Sequence, residues 1–511
     1  MAAGGPAYDV VIVGGGSAGC VLASRLSDDP ARSIALIEAG PDYGPWRPDG
    51  LDHSTTATGE WPVELLDATA DARVTHDWGY DGGPSASRAR VIGGCSSHNG
   101  CISLAGSRSD YDEWVDATGD SGWSYERLRP RFARVARRMR VHVTPKSRVT
   151  PVTRAFFSAA AEIGLEEIDF DDPDQETGFG RVPLNVRGRF RWNAAFAYLD
   201  PVRDRRNLSI LDRTLVDRVE FEGGRAIAVA AIRDGERLRI AAGTVILAAG
   251  AYATPAILQR SGVGAAPDLT ALGIPIVRDL PGVGAGLMDH PYVTIAFAAK
   301  PALAAANARH LARTTWFGVG QVKGRSALCT PGTWDFTIPP WSGAVPRLTE
   351  GSREVAGMNP IAMKTVSRGS VRLRSRDPGV SPIIDHGFLR DPDGHDLAVL
   401  ASAARASRRL GATRAWKRYA GAELSPGPGV GDGEDLLAWI RQTVAATYHP
   451  CGTCRMGRAD DALAVVDAAG AVRGLDGLAV IDASILPTIP SVNIHLPVLA
   501  IADRLAEVWA R

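Results

Sequence analysis

The chain has 511 residues and is 45% hydrophobic, which is enough for a large core and for more than one domain. Its 57 lysines and arginines balance its 57 aspartates and glutamates, and this zero net charge argues against a nucleic-acid-binding protein. We expect no membrane span, since no run of about 18 apolar residues occurs, and no secretory signal. Six cysteines are too few for a disulfide scaffold, so we expect a cytoplasmic protein with free thiols.

The first elements form a strand, a glycine turn, a helix and a second strand. Tyr8–Val13 is a β-branched run that predicts a strand, and Ser17–Leu26 has helical character. Ser33–Glu38 predicts a second buried strand. This order is typical of a βαβ unit with parallel strands.

The glycine turn GGGSAG places Gly14, Gly16 and Gly19 in a G-x-G-x-x-G pattern between the strand and the helix. The first glycine allows a tight turn, the second lets the backbone approach a pyrophosphate, and the third lets the helix pack closely. Glu38 ends the next strand about 20 residues later, where a partner for a ribose hydroxyl belongs. The pattern in this context predicts dinucleotide binding at the positive end of the helix.

The rest of the chain continues the α/β pattern after a loop rich in Pro, Gly, Asp and Thr over residues 41–59. Helices are predicted at Asp110–Val115, Tyr125–Arg138 and Leu499–Trp509, and short strands at Leu208–Ile210, Val216–Phe221, Ala226–Arg233, Arg239–Ile240, Thr244–Leu247 and Leu478–Ile481. Between about 291 and 440, aromatic residues and prolines occur in loops, which indicates a second domain that lines a pocket. Candidates for its wall, each by default a core residue, are Trp61, Trp78, Trp316, Trp334 and Trp341.

Two histidines stand in C-terminal loops, His449 in YHPCGTCRMG and His495 in IDASILPTIPSVNIHLP. A single loop histidine is more often structural than catalytic. Because both segments return to the dinucleotide domain, the pair becomes a candidate for acid–base chemistry.

Several segments in the right order resemble the glucose–methanol–choline (GMC) oxidoreductases, which carry FAD. They include the glycine turn, GAYATPAILQRSGVG at Gly250–Gly264, PGVGAGLMDHP at Pro281–Pro291, VIDASILPTIP at Val480–Pro490 and the segment around His449. The resemblance implies an α/β protein of two domains. A Rossmann-like FAD-binding domain would comprise 1–150, 195–290 and 441–511, and a substrate domain of 151–194 and 291–440 would be built on an antiparallel sheet with helices.

The resemblance also implies the roles of individual residues. His449 would accept the alcohol proton with His495 beside it as partner, or the two histidines would share this role, while flavin N5 takes the hydride. The residues expected to bind the cofactor are Gly14, Gly16, Ser17, Ala18, Gly19, Glu38, Ala39, Arg90, Gly93, Gly94, His98, Asn99, Gly100, Val216, Ala249, Gly250, Asp482, Ala483 and His495. Dioxygen or an organic acceptor would reoxidise the flavin.

The segment GGCSSHN is similar to that of choline oxidases, in which the histidine is bonded covalently to the flavin, so His98 is a candidate attachment site. The alternative is a histidine that packs near the flavin without a bond. Choline itself is not expected, because choline oxidases carry a glutamate where this chain has Tyr292, and an asparagine where it has His495. A neutral primary or secondary alcohol, aromatic or not, is the expected substrate.

Three other interpretations compete. Cys95, His98 and Cys101 could bind a metal with Cys451 and Cys454, but the resemblance places small residues there and requires no metal. Cys451 and Cys454 could instead be the redox pair of a flavin disulfide reductase, although the second G-x-G-x-x-G of such enzymes is missing. Some proteins of this fold are hydroxynitrile lyases, which keep FAD without redox turnover.

Overall fold

The computed structural model describes residues 7–46, 61–68, 75–188, 190–313, 318–344 and 354–510. Trp316 and most of the predicted loop over 41–59 lie outside these ranges. No helix in the described part of the chain has the length and apolar character needed to cross a bilayer.

A seven-stranded sheet forms the first layer of the fold. In spatial order its strands are Leu208–Leu211, Ile34–Ile37, Ala7–Val13, Glu236–Leu247, Arg225–Arg233 and Thr214–Glu222, with Leu478–Val480 also paired to Glu236–Leu247. The central pairs are parallel, and the last two are antiparallel. Parallel strands that are covered on both faces consist of continuous apolar residues. Val10–Val13 and Ile34–Ile37 are such runs, and both are buried.

Most of the predicted elements of this layer are confirmed, with shifted ends. The strands predicted at Arg239–Ile240 and Thr244–Leu247 are one strand, Glu236–Leu247, because the residues between them continue the same ladder. The closing helix begins at His495 rather than Leu499. Pro497 is tolerated in its first turn because the N–H groups there have no partner within the helix.

Two antiparallel sheets form the second part of the fold. The six-stranded sheet runs in the order Ala445–Ala446, Pro291–Tyr292, Ile361–Ala362, Phe336–Ile338, Gly320–Gly324 and Gly178–Arg181, and the four-stranded sheet in the order Pro340–Ala344, Glu354–Met358, Ile295–Ala299 and Ala420–Ser425. Small ladders pair Val263–Gly264 with Arg278–Asp279, Gly369–Arg372 with both Ala285–Leu287 and Ile383–Asp385, His142–Val143 with Pro183–Leu184, and Val186–Arg187 with Phe190–Arg191.

The described α-helices are Ser17–Leu26, Val63–Leu66, Arg108–Thr118, Tyr125–Arg138, Pro151–Glu162, Gly250–Arg260, Ala266–Ala271, Pro301–Leu311, His395–Gly411, Arg414–Lys417, Glu434–Thr443 and His495–Trp509. The first and last of these pack against each other beside the seven-stranded sheet and share its core. A second core lies between the antiparallel sheets and the helices Pro151–Glu162 and His395–Gly411. The α/β two-domain fold class is confirmed, while the domain boundaries stay a prediction.

Candidate active site

A cavity of about 780 Å³ lies between the seven-stranded and six-stranded sheets. Most of the predicted cofactor residues line it: Gly14, Gly16, Ser17, Ala18, Glu38, Ala39, Arg90, Gly94, His98, Asn99, Gly100, Val216, Ala249, Gly250, Asp482, Ala483 and His495. His449 and Tyr292 line the same cavity. Residues far apart in the sequence therefore surround one space, and their assignment as ligands of the cofactor stays a prediction.

Gly19 and Gly93 do not line the cavity but shape the backbone around it. A Cβ on Gly19 would lie 1.9 Å from the carbonyl oxygen of Gly14, so only glycine lets this helix start so close to the strand. Gly93 has φ of 85° and donates its N–H to the carbonyl of Gly15 at 2.7 Å. This bond ties the segment before His98 to the glycine turn.

Glu38 is held rigidly at the carboxyl end of its strand. Its Oε2 accepts the N–H of Gly15 and its Oε1 accepts the N–H of Gly40, each at 2.8 Å. Burial raises the pKa of this carboxyl group to about 7, although both hydrogen bonds oppose the shift. Each oxygen keeps a lone pair, so the carboxylate can still accept from the hydroxyls of a ribose.

Asp482 acts through its backbone turn rather than as a free carboxylate. Its Oδ2 accepts from the N–H of Gly250 (2.8 Å) and the hydroxyl of Thr254 (2.6 Å), and its Oδ1 accepts from the N–H of Ser484 (2.7 Å). These bonds fasten the first turn of the helix Gly250–Arg260 to the C-terminal segment. The arrangement holds the turn of Asp482 and Ala483 against the cavity.

These residues fit a flavin dinucleotide. The glycine turn and the segment before His98 approach so closely that a Cβ on Gly94 would lie 2.7 Å from Cα of Gly16. In the wall of the same cavity, Nε2 of His495 is buried and has no hydrogen-bond partner among the described residues. A buried polar atom without a partner is unfavourable, and a carbonyl of the flavin ring is a chemically suitable acceptor for it.

His449 follows the short strand Ala445–Ala446 and is anchored by its backbone. Its N–H donates to Asp289 Oδ1 at 2.9 Å, and its Nε2 lies 2.9 Å from Nδ2 of Asn493. The preceding residue, Tyr448, has φ of 68°, a left-handed conformation that is uncommon outside glycine. The strained turn and the anchoring bond aim the imidazole at the cavity.

A second buried histidine determines which nitrogen of His449 carries a proton. His290 Nε2 lies 3.0 Å from the carbonyl oxygen of Pro490, and its Nδ1 lies 2.9 Å from Nδ1 of His449. A carbonyl can only accept, so His290 is protonated at Nε2. Burial lowers the pKa of His290 to about 3, so the ring is neutral and its Nδ1 accepts. His449 therefore donates from Nδ1, and its Nε2 is unprotonated.

His449 remains neutral well into the acid range. Burial lowers the pKa of His449 well below its usual value of about 6.5, and the neighbouring His290 and the Arg88 guanidinium lower it further. Arg88 is fixed by its Nη1, which donates to the carbonyl of Tyr448 at 2.9 Å. A neutral imidazole with an unprotonated Nε2 can accept a proton at neutral pH.

Asn493, rather than His495, contacts His449. The amide of Asn493 donates to His449 Nε2, while no hydrogen bond joins His495 to His449 in the described structure. His495 begins the closing helix two residues later and also lines the cavity. Its predicted role as the catalytic partner stays a prediction, and Asn493 is a site residue that sequence reasoning missed.

The cysteines form no common site. Cys95 and Cys101 line the cavity, whereas Cys451 and Cys454 are fully buried away from it. Burial raises the pKa of both Cys451 and Cys454 well above the usual value, which suppresses the thiolate that disulfide exchange requires. No group of three or more His, Cys, Asp or Glu side chains in the described ranges is arranged to hold a metal ion.

The fold and the site together are those of a dinucleotide-binding α/β protein, with a buried histidine, His449, in the wall of the same cavity as the glycine turn. Models of the GMC oxidoreductase family match residues 8–292 with the N-terminal part and residues 365–502 with the C-terminal part. The chain belongs to the GMC oxidoreductases, and it is an FAD-dependent enzyme that acts on the CH–OH group of alcohols.

Similar proteins cover nearly the whole chain. An oxygen-dependent choline dehydrogenase 1 of Chromohalobacter salexigens is 35% identical, over 98% of this chain and 94% of that one. A choline oxidase of Arthrobacter globiformis is 32% identical with the same coverage. Among solved structures, pyridoxine 4-oxidase from Mesorbium loti has a TM-score of 0.84 at 30% identity, over 98% of this chain and 99% of that one.

Proposed function

We propose that the enzyme oxidises a primary or secondary alcohol to the carbonyl compound, with His449 as the base. The observation that carries the proposal is the unprotonated Nε2 of His449, which faces the cavity beside the amide of Asn493. Both groups can serve one hydroxyl. The alcohol O–H would donate to His449 Nε2, and Asn493 would turn its N–H to the alcohol oxygen.

In the reaction, His449 accepts the hydroxyl proton at Nε2 while Asn493 stabilises the negative charge that develops on the oxygen. His290 accepts the Nδ1–H of His449 throughout and keeps the ring oriented. Bound FAD supplies the hydride acceptor, flavin N5. After the transfer, His449 holds the proton until the product leaves. His495 assists from the cofactor side of the cavity in this proposal, through its buried Nε2.

We propose a neutral alcohol rather than choline as substrate, although the choline enzymes among the relatives keep choline open. One of the two sequence arguments against choline loses its force, because an asparagine, Asn493, does contact the base. The other stands: Tyr292 lines the cavity where choline oxidases carry a glutamate. A comparison of choline with its uncharged isostere 3,3-dimethylbutan-1-ol tests the point, and a preference for choline of more than about tenfold would contradict it.

We further propose that His98 carries the FAD covalently. His98 follows the short 3₁₀ turn Gly94–Ser97 and lines the cavity. The link would replace an imidazole N–H and a methyl C–H of the flavin by one C–N bond and would release two protons and two electrons, and the electrons would go to the enzyme's acceptor, dioxygen or an organic compound. Acid precipitation of the wild-type protein should leave the flavin in the pellet, and precipitation of His98→Ala should release it. Complete release from the wild type would contradict the link.

The central experiment reduces the purified holoenzyme anaerobically with a panel of alcohols. Loss of flavin absorbance with at least one alcohol is expected, and peroxide release and dye reduction measured in parallel would show whether dioxygen or an organic acceptor is used. His449→Ala should bind FAD normally but be reduced about 10²–10⁴ times more slowly. Ordinary reduction of this variant would contradict the mechanism. Cyanide release from mandelonitrile without flavin reduction would instead indicate the lyase reaction.

A further inference from the structure

A buried glutamine lines the cavity on the wall formed by the six-stranded sheet, here called the substrate side, and its side chain has no hydrogen-bond partner among the described residues. Gln321 lies on the strand Gly320–Gly324, is only 4% exposed and lines the cavity. None of the described residues hydrogen-bonds its side-chain amide. The amide is therefore open to the cavity, where it can both donate hydrogen bonds to a bound molecule and accept them from it.

Gln321 lies on the same face of the six-stranded sheet as Tyr292 and Ile361, the face that lines the cavity. In the sheet, Tyr292 pairs with Ile361. The strand of Ile361 pairs in turn with Phe336–Ile338, which is followed by Pro339. Tyr292, Ile361, Pro339 and Gln321 all line the cavity. The strands of Tyr292 and Gln321 are three inter-strand spacings apart, about 14 Å. A ligand that reaches from one to the other is therefore longer than a two-carbon alcohol.

A second amide on this side of the cavity has one half of its hydrogen-bonding capacity free. Asn359 lines the cavity, and its Oδ1 accepts from Trp341 Nε1 (2.8 Å) and Thr294 Oγ1 (3.2 Å). These bonds fix the orientation of the amide, and no described residue accepts its N–H groups. The substrate side thus offers hydrogen bonds from two neutral amides.

The six-stranded sheet contributes no carboxylate to the cavity. The acidic residues in the described wall are Glu38 and Asp482, and both are engaged with backbone N–H groups on the dinucleotide side. A positively charged group at Gln321 would lose its hydration without gaining a counter-charge. An uncharged polar group would exchange its water for the amide at little loss.

We propose that Gln321 determines substrate specificity by hydrogen-bonding a second, uncharged polar group of the alcohol, remote from the carbon that is oxidised. Preferred substrates are then neutral and elongated, with an apolar or aromatic middle that packs on Tyr292 and Ile361. This inference rests on the proposed function, because it places the hydroxyl of the same molecule at His449.

The test uses two alcohols of the same shape that differ in one ring atom, naphthalen-2-ylmethanol and quinolin-6-ylmethanol. Holoenzyme should be reduced by both, with kcat/KM about tenfold higher for the quinoline, whose ring nitrogen accepts from Gln321. Gln321→Met keeps the length of the side chain and removes the amide. In this variant the preference should disappear or reverse. Because both alcohols meet the same variant, a general loss of stability cannot change their ratio.

One further variant separates the possible results. Gln442→Leu, on the exposed face of the helix Glu434–Thr443, is the matched control and should keep the wild-type ratio. Equal rates with both ring alcohols in the wild type, or an unchanged preference in Gln321→Met, would overturn the role of Gln321 and leave the proposed function standing. Absence of flavin reduction by every alcohol of the wider panel would overturn the proposed function itself.

Discussion

The most discriminating prediction concerns the two residues that compete for the role of partner to the base. Asn493 Nδ2 lies 2.9 Å from His449 Nε2, so a hydroxyl bound to the base lies within reach of the same amide. Removal of one oriented donor from a developing oxyanion lowers a rate roughly 10²–10³-fold, or about 3–4 kcal/mol. Asn493→Ala should therefore slow flavin reduction by this factor at saturating alcohol, with FAD content unchanged.

Asn493→Asp separates hydrogen-bond donation from packing. The carboxylate has the size of the amide but cannot donate, so its reduction rate should be no higher than that of Asn493→Ala. His495→Ala should lower the reduction rate less than tenfold, because no hydrogen bond joins its ring to His449 in the described part of the chain. Anaerobic stopped-flow measurement of flavin absorbance compares all three variants. A loss of a hundredfold or more in His495→Ala, together with a near-normal rate in Asn493→Ala, would refute the geometric argument and restore the pairing expected from the sequence.

Three further measurements test other parts of the site. The rate of flavin reduction should be independent of pH between about 6 and 8 and should fall only in more acid solution. The reason is that the base must be neutral and that the pKa of His449 is lowered. An inflection near pH 6.5 or above would contradict this expectation. Gly19→Ala should lower the melting temperature and the FAD content together, since its Cβ would meet the carbonyl of Gly14, and a stable variant with full FAD would contradict the close packing. In the His98→Ala background, where FAD binds reversibly, Glu38→Gln should weaken FAD binding about tenfold in an equilibrium titration of apoenzyme, whereas unchanged binding would exclude Glu38 from the dinucleotide site.

The buried histidines also make stability depend on pH. The folded-state pKa of His290 is lowered to about 3, whereas the unfolded chain titrates near 6.5. The unfolded state then binds more protons between these values, so this contribution is complete above about pH 6.5 and is lost as the pH falls. The loss is about 1.4 kcal/mol for each pH unit below 6.5. It adds to the expected decline of activity in acid.

Local sequence patterns are sufficient to predict the dinucleotide-binding part of the fold. The glycines at 14, 16 and 19 and the glutamate at 38 act within one βαβ unit, so their spacing along the chain is nearly their arrangement in space. His449 also stood in a recognisable segment. By contrast, His290 meets His449, and Gln321 reaches the cavity, only because distant strands pair: His290 precedes the strand Pro291–Tyr292, and Gln321 lies on Gly320–Gly324. The residues next to His290 and Gln321 in the sequence do not predict these positions.

The pairing of His449 with Asn493 shows a finer limit of sequence reasoning. Asn493 and His495 are two residues apart, and both are polar residues able to donate a hydrogen bond. Which of them meets the base depends on where the closing helix begins. The helix starts at His495, so His495 takes the direction of a first-turn side chain, while Asn493 is still in the loop that passes His449. Helix ends are uncertain by one or two residues when inferred from sequence, and here that uncertainty is as large as the distance between the two candidates. The identity of the partner is therefore a tertiary property, which the variants of Asn493 and His495 measure directly.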